Sequence, residues 1–236
     1  MLSLSIVIPT YNEERFLSKL LEALSRQTIQ PKEVIVSDAH STDLTREIAG
    51  QFGTVVVNGG LPGPGRNRGA ERATGDWLLF LDADIVLSDD AFLERAISEM
   101  EARKLLIACP DIMATEDWRA KLFFQIYTRF THLLARRYPH VTGMCIFVRR
   151  TLHETIHGFD ETILYAEDNE YGSRATEYGQ FGYLHETLFT PPRRFQRDGY
   201  LRSGVMNVLA ELHLRLFGPI RKDLFRYRFG YDMKKK

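Results

Sequence analysis

Short apolar runs alternate with helical patterns through the first half of the 236-residue chain. Runs rich in aliphatic and β-branched residues predict strands at residues 2–9, 33–38, 54–58, 76–82 and 105–110. Apolar residues at helical spacing predict helices after Asn12, at 41–52, after the Gly/Pro loop 59–69, and at 89–104. This alternation with short connections predicts an α/β fold, with a mostly parallel central sheet and helices on both faces.

The second half is less regular. It carries helical patterns at 118–138, 166–179 and about 200–217, and strand patterns at 143–150 and 181–186. Polar residues near the starts of the earlier helices are predicted to cap them: Asn12, Ser41, and Ser88 with Asp89.

Charge is unevenly distributed, although Lys plus Arg and Asp plus Glu each total 31. Residues 193–236 hold 12 basic and 4 acidic side chains, so the preceding part is acidic. A basic, aromatic tail after an acidic body predicts contact with an anionic partner. The aromatic and basic residues of the tail and of helix 118–138 fit the surface of an anionic membrane, and the alternative interpretation is core packing with a solvated charged face, or a dimer contact. No apolar run of about 18 residues occurs, which disfavours a spanning helix.

The same features predict a cytoplasmic protein with peripheral membrane contact. The first residues read as a strand rather than as a signal peptide. Cys109 and Cys145 lie in apolar runs, which is typical of reduced core thiols.

Carboxylates follow two of the predicted parallel strands. Asp38 ends the second strand, and Asp82 and Asp84 follow the buried run "WLLFL". Carboxyl ends of parallel strands form the ligand-binding edge of an open sheet. If the backbone stays extended, Asp82 and Asp84 point the same way and repel each other unless a cation is bound. Two such oxygen ligands favour Mg²⁺ or Mn²⁺, which also takes phosphate oxygens from a substrate.

Two further motifs add to this prediction. The "GPGRNRGA" segment places Gly65 and Arg66 at a predicted helix start, where phosphate can approach closely. Dinucleotide-binding and P-loop glycine motifs are absent, which disfavours those classes. Glu167 and Asp168 open another predicted helix, and two interpretations stay open: favourable charges at the helix dipole, or a general base.

Five motifs in order resemble glycosyltransferase family 2, which has the GT-A fold. They are "SIVIPTYNEERFLSKLLEAL", "VIVSDAHSTDLT", "GRNRGAERATGDWLLFLDADIVL", "HGFDE" and "EDNEYGSR", and they cover about residues 3–190. The resemblance implies an inverting, metal-dependent transfer of a sugar from a nucleotide sugar, with a UDP-sugar favoured over a GDP-sugar. It also implies a GT-A domain at 1–192, with a nucleotide-binding half (1–110) and an acceptor-binding half (111–192), followed by the helical tail 193–236.

Individual roles follow from the resemblance alone. Asp168 matches the catalytic base and Glu167 lies beside it towards the acceptor. Asp84 matches the metal ligand of the family. Asp82 matches a residue that approaches the ribose and also contacts the metal. The remaining matches concern the base, ribose and phosphates: Pro9, Thr10, Tyr11, Glu13, Asp38 and Arg66.

The chain departs from the family in two places. The usual "DDGSTD" loop is "DAHSTD" here, so Ala39 and His40 alter the loop near the base. The Gln-Arg-Arg-Trp set of processive synthases is absent, and "RRFQRDGY" (193–200) resembles it only loosely. Arg193, Arg194 or Arg197 either reaches the diphosphate from a closing loop or belongs to a solvated basic loop.

The acceptor is predicted to be a sugar or a lipid-linked hydroxyl, with no nucleic acid and with oligomerisation left open. One alternative is a haloacid-dehalogenase-like phosphatase using "DADIV", although that motif belongs on the first strand of its domain. Another is a protein that binds sugar nucleotides without turnover.

Overall fold

A seven-stranded sheet forms the centre of the computed structural model, which describes residues 3–60, 62–134, 139–222 and 224. The strands are β1 (Leu4–Thr10), β2 (Glu33–Asp38), β3 (Val55–Asn58), β4 (Trp77–Leu81), β5 (Ile107–Ala114), β6 (Cys145–Arg149) and β7 (Phe181–Thr190). Their order across the sheet is β3-β2-β1-β4-β6-β5-β7.

Six of the seven strands run in one direction. β1 pairs in parallel with β2 and β4, β2 with β3, and β5 with β7. β6 alone is antiparallel, and it lies between β4 and β5. The predicted α/β fold with a mostly parallel sheet is therefore confirmed, while the reversed strand was not predicted because an apolar run carries no sign of its direction.

Helices cover both faces of this sheet. They are α1 (Leu17–Ser25), α2 (Thr45–Gln51), α3 (Pro62–Arg72), α4 (Phe92–Ala102), α5 (Trp118–Leu134), α6 (Arg150–Thr155), α7 (Glu167–Tyr178), α8 (Arg193–Asp198) and α9 (Tyr200–Phe217). Alternate residues of β1 point to opposite cores: Ile6 and Ile8 pack with α1 and α4, whereas Val7 packs with α6 and α7. This two-sided burial explains why the strands read as continuous apolar runs.

The predicted helix caps are wrong. None of the three helices has a side-chain hydrogen bond at its cap, and they begin three or four residues later than predicted. The side chain of Asn12 instead accepts a hydrogen bond from the backbone N–H of Thr42 (2.9 Å), and the backbone N–H of Asn12 donates to Ser41 (2.9 Å). These polar residues join two loops beyond the sheet edge. Asp89 accepts from the N–H of Ala91 in a turn before α4 and forms an ion pair with Arg95.

The Gly/Pro segment is mainly helix rather than loop, because α3 begins at Pro62, where a proline without an N–H is tolerated. Its glycines serve close packing. A β-carbon added at Gly69 would lie 2.2 Å from a methyl group of Val7 on β1, and one at Gly63 would lie 3.7 Å from Glu167. Arg66 consequently lies in the second turn of α3, away from its N-terminus.

The helix predicted at about 200–217 is present as α9, and residues 193–198, expected to be a loop, form the short helix α8. The amphipathic character predicted for the C-terminal helices is not seen in its ordinary form in α9. Its small and polar residues Ser203 and Ala210 face the protein, while Val205, Leu209 and Leu216 are exposed. Within the described ranges, no helix is long and apolar enough to cross a bilayer. The tail residues 225–236, including the terminal lysines, lie outside the described residues.

Candidate active site

The carboxyl ends of β1 and β2 meet, as predicted. Thr10 donates a hydrogen bond to Asp38 (3.0 Å), and Ser41 and Arg46 donate to the same carboxylate. Burial raises the pKa of Asp38, but these hydrogen bonds outweigh it and the pKa lies below its ordinary value. The Asp38 side chain is 0% exposed, so it holds the loop after β2 in place.

His40, in the same loop, has a strained backbone conformation. It stands at the glycine position of the usual family loop and has a φ of 59°, in the left-handed region. A side chain with a β-carbon is strained there by about 1 kcal/mol. The loop therefore keeps the turn that glycine would favour, with an imidazole added beside the strand ends.

A turn begins directly after β4. The backbone N–H of Ile85 donates to the carbonyl of Asp82 (3.2 Å), so the extended backbone assumed for this stretch is wrong. Both Asp82 and Asp84 nevertheless line one cavity of about 240 Å³. Arg66, Glu167 and Asp168 line the same cavity, so five of the predicted residues are brought together.

Arg66 is the buried cation of this cavity. It donates to Glu167 (2.9 Å), to the carbonyl of Gly143 (2.9 Å) and to Asp82 (3.3 Å), with 3% of the side chain exposed. Its guanidinium also lies 5.3 Å from the ring centre of Phe159. Its Nε is buried and has no hydrogen-bond partner among the described residues.

Asp168 is held by backbone groups rather than by a side chain. Its Oδ2 accepts from the N–H of Gly143 (2.8 Å), and its Oδ1 accepts from the N–H of Asn169 (2.9 Å). Ala166, just before α7, has a φ of 60°. That left-handed residue turns the chain into the helix and directs Glu167 and Asp168 into the cavity, a strain of the kind found at functional sites.

Arg193, at the start of α8, connects the loop after β1, which carries Glu13, with the cavity that Asp84 lines. It forms ion pairs with Asp84 and with Glu13 (3.2 Å), and its guanidinium lies 4.1 Å from the ring centre of Phe16. Burial raises the pKa of Glu13 to about 7, although Arg193 opposes that rise. Of the three tail arginines, Arg193 contacts the site and Arg197 pairs with Asp198. The side chain of Arg194 lies outside the described residues.

Burial also acts on the other carboxylates. It raises the pKa of Asp82 to about 7, with Arg66 opposing and Asp84 adding to the rise. Burial and the adjacent Asp168 raise the pKa of Glu167. Carboxylates crowded in this way gain from an added cation or from a bound proton.

The site fits a divalent cation that is shared with a ligand. Asp82 and Asp84 offer hard oxygen donors, and the Arg193 guanidinium stands in as a cation against Asp84 and Glu13. Across the described ranges, no three His, Cys, Asp or Glu side chains are close enough to form a complete metal site. A divalent cation held by Asp82 and Asp84 would need its other ligands from outside these side chains.

Three site residues were missed in the sequence. Gly143 holds both Asp168 and Arg66, and the only signal was an isolated glycine before a strand. Tyr127 and His140 hydrogen bond to each other (2.6 Å) in the cavity wall. Tyr127 belonged to an apolar helical stripe and His140 to a loop, and neither pattern separates a site residue from a packing residue.

Of the remaining predicted residues, Tyr11 is exposed beyond β1, and Pro9 packs near Gly65 of α3. Neither lines the cavity. They lie at the same sheet edge as Thr10 and Asp38, beside the cavity rather than in it.

Solved glycosyltransferases share this fold. A structure of Staphylococcus aureus TarS 1–349 in complex with UDP-GlcNAc has a TM-score of 0.65 at 22% identity, over 91% of this chain and 73% of that one. The mannosyltransferase PcManGT from Pyrobaculum calidifontis, in complex with GDP-Man and Mn²⁺, has a TM-score of 0.66 at 18% identity, over 92% and 71%. The chain thus shares the fold of these two structures.

The family follows from the sequence comparison. The model of glycosyl transferase family 2 matches residues 5–157, and the chain belongs to that family. A Mycobacterium bovis PGL/p-HBAD biosynthesis glycosyltransferase is 30% identical over 210 residues, covering 78% of this chain and 79% of that protein. This membership replaces the phosphatase interpretation of "DADIV".

Another relative matches a smaller share of its own length. The 4,4'-diaponeurosporenoate glycosyltransferase of Staphylococcus haemolyticus is 32% identical over 151 residues, which are 60% of this chain. The chain spans 36% of that protein and 21% of Staphylococcus aureus TarS.

Proposed function

We propose that the protein transfers a sugar from a nucleotide sugar to an acceptor hydroxyl with inversion at the anomeric carbon. The observation that carries this proposal is the convergence of two acidic pairs, Asp82 with Asp84 and Glu167 with Asp168, on one cavity. One pair follows a central strand and the other opens a helix, so the two approach a ligand from different elements. Family membership and the shared fold support the same reaction class.

Asp168 is the proposed general base. It takes the proton of the acceptor hydroxyl as that oxygen attacks the anomeric carbon, and the bond from this carbon to the diphosphate oxygen breaks. Both Asp168 oxygens are already fixed by backbone N–H groups, so the carboxylate needs little reorganisation. Glu167, on the acceptor side, orders the neighbouring Arg66.

Asp84 and Asp82 would hold Mn²⁺ or Mg²⁺ together with diphosphate oxygens. When bound, such an ion supplies Lewis-acid stabilisation of the leaving diphosphate. Arg193, which pairs with Asp84 and Glu13, would offer its guanidinium to the diphosphate. The unpartnered Nε of Arg66 offers a further donor inside the cavity.

The base and ribose would lie beyond β1 and β2, near Pro9, Thr10, Tyr11 and Glu13, with a UDP-sugar as the favoured donor. Because Asp38 is fully enclosed, it supports the base pocket through Thr10, Ser41 and Arg46. The proposed acceptor is a lipid-linked or membrane-proximal hydroxyl, in keeping with the basic residues after position 192.

The test compares Asp168→Asn and Asp84→Ala with wild type, using donor hydrolysis and Mn²⁺ binding by calorimetry. Asp168→Asn should lose turnover by roughly a hundredfold or more and keep Mn²⁺ binding. Asp84→Ala should lose both. The control is Asp90→Asn, a surface change away from the cavity. Full turnover by folded Asp168→Asn would remove Asp168 from its role.

A further inference from the structure

The outer face of α5 combines exposed apolar and basic side chains. Five large apolar residues share this face although they are in contact with water: Trp118, Leu122, Ile126, Phe130 and Leu133. Arg119, Lys121 and Arg129 are exposed on the same helix, and Trp118–Leu134 contains no Asp or Glu. Such a face is costly in water and does not repel anions.

The exposed face of α9 repeats this arrangement. Its apolar stripe keeps spacings of three and four residues and consists of Val205, Val208, Leu209, Leu212 and Leu216, the last 71% exposed. Arg202 and Arg215 flank the stripe on either side. The single acid of the helix, Glu211, pairs with Arg215 and with His140, so it offsets one of these flanks and leaves the charge of Arg202 without an acidic partner on α9.

The two stripes are continuous with each other and with the active-site cavity. Phe130 of α5 and Val208 and Leu212 of α9 line a groove of about 80 Å³ between the helices. Tyr127 and His140 line both this groove and the larger cavity that contains Asp168. The groove between the helices therefore lies directly beside the proposed transfer site and shares lining residues with it.

We propose that the α5–α9 face, defined as the two exposed stripes and the groove between them, docks on an anionic lipid bilayer. The apolar side chains enter the interface, and the flanking arginines contact acidic headgroups. Building on the proposed function, the groove is the side from which a membrane-embedded acceptor presents its hydroxyl to Asp168. The acceptor class is then an amphiphile with a long apolar portion.

A second copy of the chain fits this face less well than a bilayer. The buried core of a protein interface is depleted of charge, whereas Arg119, Arg129 and Arg202 border the apolar stripes. In a symmetric dimer through α5, a basic helix would face its own copy without an acidic partner on that helix. A negative bilayer satisfies all of these cations at once.

Flotation of the full chain with vesicles tests the docking. Vesicles of phosphatidylcholine with phosphatidylglycerol should carry the protein, and vesicles of phosphatidylcholine alone should carry much less. Ile126→Ser combined with Leu212→Ser should lower partitioning by on the order of tenfold, since two large apolar side chains no longer enter the interface. The control is Tyr178→Ser, which alters an apolar residue that is equally exposed on α7.

Donor hydrolysis without vesicles separates this proposal from the proposed function. Wild type and the Ile126→Ser, Leu212→Ser variant should hydrolyse donor equally, because neither side chain lines the cavity. Loss of hydrolysis in wild type itself would defeat the proposed function and leave the flotation result standing. Equal flotation by variant and wild type, or a dimer in sedimentation that this variant abolishes, would overturn the docking surface.

Discussion

At the scale of single residues, the site depends on a position that carries no functional group. Gly143 donates its N–H to Asp168 and its carbonyl accepts from Arg66. A β-carbon placed there would lie 2.7 Å from Asp168 Oδ2 and 3.2 Å from an Arg66 nitrogen. Neither neighbour is free to move, since Arg66 is buried and Asp168 is fixed at a helix start.

We expect Gly143→Ala to lower turnover by roughly tenfold to a hundredfold while the protein stays folded, because the proposed base, Asp168, would be displaced from the attacking oxygen. Steady-state donor hydrolysis with circular dichroism would measure both. Gly50→Ala is the matched control, because a β-carbon at that helical position meets nothing within 4 Å. A Gly143→Ala protein with wild-type turnover would show that Asp168 needs no such placement.

The sequence motifs pointed to the carboxylate residues of the cavity. They did not point to the residues that hold those carboxylates in place. Asp84 and Asp168 lie in recognisable local motifs. Gly143, by contrast, is 77 residues from Arg66 and 25 from Asp168 along the chain, so no local pattern joins them. Arg193 and Glu13 are separated by 180 residues along the chain, and they are in contact because of where α8 packs.

At the scale of elements, α8 closes the site from one side. This short helix follows β7 and places Arg193 against both Asp84 and Glu13. The sequence offered three arginines in "RRFQR" for such a role, and only the folded position of α8 separates them. Periodicity predicted the existence of most helices and strands, while starts and ends shifted because tertiary contacts replaced the predicted caps.

Removal of the Arg193 cation should have opposite effects on two measurements. Arg193→Ala should bind Mn²⁺ alone about tenfold more tightly, because Asp84 no longer pairs with a guanidinium. The same variant should turn over donor more slowly, because the diphosphate loses a donor. Calorimetry and donor hydrolysis measure the two effects.

Arg197→Ala is the control for this experiment, since Arg197 pairs with Asp198 within α8. If Mn²⁺ affinity falls in Arg193→Ala, then Arg193 supports the cation site instead of competing for it.

At the scale of the whole molecule, the free energy of unfolding depends on a buried histidine, His153. It belongs to α6 and faces the core between the sheet and α7. His153 is buried, hydrogen bonds to Tyr171 (2.9 Å) and has Arg174 nearby. Burial, aided by Arg174, lowers the pKa of His153 from 6.5 to about 4. The folded state therefore keeps the imidazole neutral over a pH range in which the unfolded state binds a proton.

Lowering the pH from 7 to 5 should cost about 2 kcal/mol of folding stability through His153, because the unfolded chain gains the proton. Glu13 and Asp82 act in the opposite direction, since their raised pKa values favour the folded state at lower pH. The measurement is therefore a difference: urea unfolding of wild type and His153→Gln at both pH values.

Between pH 7 and pH 5, the free energy of unfolding of His153→Gln should fall by about 2 kcal/mol less than that of wild type. His213→Gln, on α9, should follow the wild type. Parallel pH dependence of His153→Gln and wild type would show that the histidine is protonated in the folded core.

The reversed strand β6 has a consequence for the order in which the protein forms on the ribosome. β1 to β4 pair among themselves, so the first 81 residues can build a parallel sheet as they emerge. β5 emerges next but has no place beside β4, because β6 must insert between them. β1 to β4 therefore form before α7, which carries Asp168, and a nascent chain halted before Cys145 would hold Asp82 and Asp84 without Asp168.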